Sequence, residues 1–173
     1  IAISDAVRLA LVASGVPAEE ITVVQSGIAV DDVVRTARSD PRPALGLAGG
    51  TPLIITTGAL VGHKDHATLV RAAQLAARSR PDLHWAIVGE GDRRGALEAL
   101  IRELALEGRV HLLGEVPDAV RLVAAADLFV MSSAMEGLGT SVLDAMALGI
   151  PVVGTAAGGI PELLQGGAGR LVP

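Results

Sequence analysis

The amino-acid sequence predicts an α/β fold, a parallel sheet with helices on both faces. Three observations point there. From Pro52 onward, apolar runs of strand length recur at Leu53 to Thr57, His84 to Val88, Val110 to Leu113, Leu128 to Met131, Pro151 to Val153 and Arg170 to Val172. Helical patterns separate most of these runs, and such alternation implies right-handed crossovers between parallel strands. The two ends of the runs also differ in chemistry. The finishing ends carry Gly58, Gly62 and Lys64, then Gly89 and Gly91, Gly114 and Glu115, Glu136 to Gly139, and Gly158-Gly159, whereas the starting ends carry ordinary turns. A parallel sheet gathers all finishing ends on one edge, where such folds take their ligands.

In chain order, Ile1 to Ile3 reads as the end of a strand. Ser4 is an N-cap for a helix that stops at Gly15, and Ile21 to Val24 reads as another short strand. Asp31 to Gly50, with Pro41, Pro43 and Gly49-Gly50, reads as a short helix and a connecting loop. Leu97, Leu100, Ile101 and Leu104 give the plainest amphipathic helix, with Glu98 and Arg102 as an outer-face pair. Val142, Leu143 and Met146 recur at helical spacing in a helix that begins near Thr140, and Gly149 followed by Ile150-Pro151 ends it. Trp85 and Phe129, the single tryptophan and the single phenylalanine, sit in strands and are expected in the core.

With 173 residues, half of them apolar, the chain fits one domain with a sizeable core. It has no cysteine, which excludes a disulfide framework or thiolate metal site and is compatible with a reducing cytoplasm. A net charge of −5 and the lack of any basic run argue against nucleic acid as a partner. No stretch reaches the roughly 18 to 20 uninterrupted apolar residues of a membrane-spanning helix. The opening IAISDAV lacks the basic region of a signal peptide.

The loop between the run at Leu128 and the helix at Thr140 is the expected site. Gly137 and Gly139 let a ligand approach the backbone, and the free N–H groups at the start of the helix attract an anion such as phosphate. Glu136 and Asp144 stand eight residues apart, so both can face one crevice and accept hydrogen bonds from hydroxyls. Phosphates and polyol hydroxyls together describe a nucleotide sugar. Ser132, Ser133, Thr140 and Ser141 can donate to phosphate or sugar, or serve as turn and cap residues. His63-x-x-His66 has no evident third or fourth ligand, so a structural or solvent role is expected and no metal.

The segment EGLGTSVLDAMALGIPVVGT resembles the acid-x7-acid motif of the family 4 retaining glycosyltransferases, which have the GT-B fold. GGIPELL and GAGRLVP resemble that family's continuation, and GALVGHKDHATLVRAA, IVGEGD, VHLLGEVPD and AAADLFVMSS resemble its upstream segments in the same order, over nearly the whole chain. Two positions depart from the family: Asp144, where Glu is more usual, and Ala59, where many members carry an Arg on the donor diphosphate.

The resemblance implies a Rossmann-like donor-binding domain, the C-terminal half of a GT-B fold. Residues 1–30 would be the hinge and the end of the acceptor-side segment, and residues 31–173 the nucleotide-sugar-binding domain. The N-terminal acceptor-binding domain would lie outside the chain. By resemblance Glu136 contacts the transferred sugar and Asp144 the ribose. Lys64, the single lysine beside thirteen arginines, contacts the diphosphate, and a flexible point charge suits that task. Backbone groups around Leu113, Glu115 and Val116 hold the base. Gly58, Gly89, Gly91, Gly137, Leu138, Gly139, Thr140 and Ser141 complete the donor site. No metal or cofactor is implied. The protein would be cytoplasmic, with any peripheral membrane association made through the missing half.

Alternatives remain open at this point. GEGDRRG, Gly89 to Gly95, is similar to a dinucleotide fingerprint, but its spacing is G-x-G-x-x-x-G and it leaves the EGLGTS loop unexplained. A non-catalytic nucleotide-sugar-binding module, or another GT-B enzyme such as an epimerase or phosphorylase, would share the same motif.

Overall fold

The structure, a computed structural model, describes residues 1–36 and 38–173; Ala37, within the loop expected between Asp31 and Gly50, lies outside the described residues. Strands β1 (Leu53–Thr57), β2 (His84–Val88), β3 (Val110–Gly114), β4 (Leu128–Met131), β5 (Val152–Thr155) and β6 (Arg170–Val172) form one sheet in the order β3-β2-β1-β4-β5-β6. Every pairing is parallel. The helices are α1 (Asp5–Ala13), α2 (Val30–Val34), α3 (His66–Ala77), α4 (Arg94–Glu103), α5 (Val120–Val123), α6 (Thr140–Ala147) and α7 (Ile160–Leu163).

Period-2 alternation along the strands divides the core between the two faces of the sheet. Leu53 and Ile55 of β1, with Val88, Phe129 and Met131, pack on one face against Leu122 and Val123 of α5, Val142 and Ala145 of α6, and Ile160 of α7. Ile54, Trp85 and Ile87 point the other way, onto Leu69, Val70 and Ala73 of α3 and Leu97 and Ile101 of α4. Phe129 and Trp85 are both buried, as expected. The expected start of β5 moves by one residue because Pro151 has no N–H; it enters the ladder only through its carbonyl, which accepts from Phe129 N at 2.9 Å.

The segment before β1 is fixed by Arg42, a buried guanidinium. It donates to Thr51 O (2.7 Å), Ala125 O (2.8 Å), Asp40 Oδ1 (3.1 Å) and Asp127 Oδ2 (2.6 Å), and Leu53 N also donates to Asp127 Oδ2 at 2.8 Å. One arginine therefore ties the starts of β1 and β4 together.

Two expectations need correction. Ile1 to Ile3 and Ile21 to Val24 are not strands; a single parallel bridge, Ala2 to Val23, joins them. Their apolar residues Ile1 and Val24 are exposed, so no buried face holds a longer ladder. The outer-face pair on α4 is Arg94 with Glu98 (2.9 Å), one turn earlier than the expected Glu98 with Arg102. Arg94 is shared with Glu90 at 2.5 Å, so it is held between two acids.

Candidate functional site

In this strand order the chain leaves β1 toward β2 on one side and leaves β4 toward β5 on the other. The loops after β1 and β4 therefore part at the middle of the sheet and open a crevice, the topological switch point of a doubly wound fold.

The loop after β1 runs from Gly58 to a 3-10 turn at Gly62–Lys64, and Asp65 then caps α3 by accepting from Thr68 N at 3.2 Å. The loop after β4 runs from Ser132 to Gly139. The two are sewn together: Ala134 N and Met135 N donate to His63 O (2.8 and 3.3 Å), and Ser132 Oγ donates to Lys64 O (3.1 Å). Across this seam Lys64 Nζ forms an ion pair with Glu136 Oε2, their side chains only 19% and 15% exposed. Ser133 Oγ donates to the same Glu136 oxygen (3.3 Å), and Gly137 N donates to the other (3.2 Å). Ser133 thus serves the acid. Its own carbonyl accepts from Thr155 Oγ1 at 2.6 Å, a contribution from β5 that the sequence did not signal.

Gly139 lies in the left-handed region (φ +90°) and turns the chain into α6, whose first N–H groups no side chain caps. Thr140 is exposed and Ser141 half-buried at this open amino terminus. Leu138 is buried with its side chain in the core, so only its backbone can meet a ligand. Asp144 follows one turn into α6. Burial pushes its carboxyl above the usual range, and no ion-pair partner stands beside it among the described residues.

The glycines of the β2 loop have a different setting. A Cβ on Gly89 would overlap the carbonyl of Gly58, and one on Gly91 would overlap the backbone of Leu60. Leu60 N donates to Glu90 O and Arg93 N to Leu60 O (2.8 and 2.9 Å), so this loop props the segment that carries Lys64. Gly58 lies beneath the lysine stem: its Cβ position is 3.6 Å from Lys64 Cε. Leu113 near the end of β3 and Val116 just beyond it pack partly into the core while Glu115 is exposed, and Gly89 N donates to Gly114 O (2.8 Å) to tie this segment to the rim.

The two rim histidines diverge. His63 is exposed and His66 is buried; burial first, then the neighbouring Lys64 charge, lowers the His66 imidazole from its usual 6.5 to about 4. Among the described residues no group of three or more His, Cys, Asp or Glu is arranged to hold a metal ion, and no helix is long and apolar enough to cross a membrane.

Ser4 Oγ caps α1 as expected, accepting from Val7 N (3.1 Å). Residues 1–25 also make contacts that sequence reasoning missed: Ser4 Oγ donates to Gly137 O (2.6 Å). Glu162 accepts from Asp5 N (3.0 Å), Ala6 N (2.8 Å) and Gln25 Nε2 (3.2 Å). The segment GGIPE was legible as part of the resemblance, but its carboxylate gave no sign of reaching α1.

The strand order, with a lysine, an acid and an open helix amino terminus at its switch point, defines a Rossmann-like α/β domain. The chain belongs to the family described as glycosyl transferases group 1, whose model matches residues 38–173. It is 33% identical over 144 residues to the GDP-mannose-dependent monoacylated alpha-(1-6)-phosphatidylinositol monomannoside mannosyltransferase of Corynebacterium glutamicum, a match covering 78% of this chain and 37% of that protein. It is 32% identical over 153 residues to the lipopolysaccharide core biosynthesis glycosyltransferase LpsE of Rhizobium meliloti, covering 88% and 43%. Anabaena Alr3699/HepE, solved in complex with UDP and glucose, superposes with a TM-score of 0.86 at 30% identity over 99% of this chain and 48% of that one. The chain thus spans less than half the length of each of these three proteins.

Proposed function

We propose that this domain binds a nucleoside-diphosphate sugar as the donor half of a retaining glycosyltransferase that moves the sugar to an acceptor hydroxyl. The observation that carries the reading is the meeting of Lys64 and Glu136 at the switch point, beside the amino terminus of α6. The likeness to a protein solved with UDP and glucose supports it.

In this reading Lys64 and the N–H groups of Gly139 to Ser141 hold the diphosphate and stabilise the charge that gathers on it as the glycosidic bond breaks. Glu136 accepts hydroxyls of the transferred sugar, and Asp144 accepts those of the ribose. The backbone around Leu113 to Val116 holds the base. Charge is neutralised by these groups, with neither metal nor cofactor. The acceptor is positioned by a further, N-terminal domain that also closes the crevice to water, so this chain alone binds donor but transfers little. We place the protein in the cytoplasm, with any membrane association made through that other half.

Calorimetric titration with UDP, GDP and ADP, with their sugars and with the corresponding nucleosides tests the reading. Lys64→Ala should weaken diphosphate binding by about 2 kcal/mol while nucleoside binding changes little. A flat response to every ligand, or equal losses for nucleoside and diphosphate, would overturn it.

A further inference from the structure

The ion pair at the rim sets two attractions against each other. The chain's single lysine is held by Glu136, and both side chains are mostly buried. A diphosphate that takes Lys64 must draw the ammonium away and leave Glu136 with only the Ser133 hydroxyl and the Gly137 N–H, beside incoming negative charge. A mostly buried carboxylate stripped of its cation is costly unless new donors reach it. A nucleotide that carries a sugar brings those donors to Glu136 as the sugar's hydroxyls; a bare nucleoside diphosphate, its ribose hydroxyls taken by Asp144, brings none to Glu136.

Resting on the donor-site reading, we infer that the Lys64–Glu136 pair is a selectivity latch that favours intact nucleotide sugar over bare nucleoside diphosphate. The sugar replaces the ammonium at Glu136, so the latch opens with little net loss. Without a sugar the opened latch strands an acid, and Glu136 competes to recover Lys64. The same competition loosens the site's hold on the nucleoside diphosphate left once the sugar has gone. Glu136 is thus a specificity residue through its grip on Lys64 as well as through its contact with the sugar.

The test is titration of UDP, UDP-glucose, GDP and GDP-mannose into the full chain as wild type, Glu136→Gln, Lys64→Ala and the double variant, with thermal melts to check folding. Glutamine keeps the shape of the acid and removes its charge. Glu136→Gln should bind the bare diphosphate about tenfold more tightly than wild type and the nucleotide sugar no more tightly. That gain should vanish in the Lys64→Ala background, since the two residues act as one unit. Unchanged or weaker binding of the bare diphosphate by Glu136→Gln overturns the latch. So does a gain that persists without Lys64, because Glu136 would then act by through-space repulsion alone. Failure of these four probes, and of ADP and ADP-glucose beside them, to bind any of the four proteins overturns the donor-site reading itself, a result distinct from binding that shows no latch.

Discussion

Arg42 Nη2 and Leu53 N both donate to one oxygen of Asp127, at 2.6 and 2.8 Å, so a single carboxylate oxygen aligns the starts of β1 and β4. These are the two strands whose far ends carry Lys64 and Glu136. The alignment made at one edge of the sheet fixes the site at the other.

Arg42→Ala should therefore destabilise the fold by about 2 kcal/mol, because it leaves the carbonyls of Thr51 and Ala125 without their donor. The carboxylate of Asp127 is largely exposed, which keeps the loss below that of breaking a fully buried pair. Chemical denaturation of the two proteins measures it; a difference within about 0.5 kcal/mol would show that the clamp is not needed.

Gly158 has φ +53°, and a Cβ there would overlap the backbone carbonyl of Glu136. Gly158→Ala should lower stability by about 2 kcal/mol and weaken nucleotide-sugar binding, because the loop bearing Glu136 must shift. Gly95→Ala is the control. It lies within α4 with open space around it and should raise stability by about 0.5 to 1 kcal/mol without touching binding. Melting curves and titrations on both variants separate the two outcomes.

Asp144 is an acid whose carboxyl is raised by burial in the folded state. The folded chain thus holds its proton more firmly than the unfolded chain, and the ionised group lowers stability once the pH exceeds the unfolded value of about 3.8. Asp144→Asn should melt higher than wild type at pH 7, with the difference closing toward pH 3. The same variant should bind nucleoside less tightly, a trade of stability against function. Equal melting temperatures at pH 7 would contradict the burial effect.

His66 titrates in the opposite sense. Its folded-state value of about 4 lies below the usual 6.5, so its contribution to stability is complete above pH 6.5 and is lost as the pH falls from 6.5 to 4. His84 and His111 are lowered by burial as well, so wild type alone does not isolate His66. Comparison with His66→Gln does: the variant's stability should fall less over that window. An NMR titration of the His66 ring with a midpoint above pH 6 would refute this.

The sheet was the legible part of the chain, because six short apolar runs bounded by turns leave few other arrangements. The helix stops at Gly15 and Gly149 were legible too, since both residues have positive φ. Placing Lys64 and Glu136 on one rim followed from the parallel topology; their direct contact did not, because it joins residues 72 positions apart through loop conformation. The Arg42 clamp was hidden for the same reason: an arginine between two prolines looks like a loop charge until its four acceptors are assembled in space. Local pattern misled at Ile1 to Ile3 and Ile21 to Val24, which meet each other in a single bridge and do not extend into strands. On α4 it found the right acid but chose the wrong turn for its partner.

The hydroxyl of Ser4 holds the carbonyl of Gly137 while Glu162 grips the amino end of α1. The first helix is consequently a lever with its fulcrum on Gly137, the neighbour of Glu136. A tug on the chain ahead of residue 4 must either snap that 2.6 Å link or drag the loop along with it. Displacement of the amino end of the chain is thereby passed to the loop that carries Glu136.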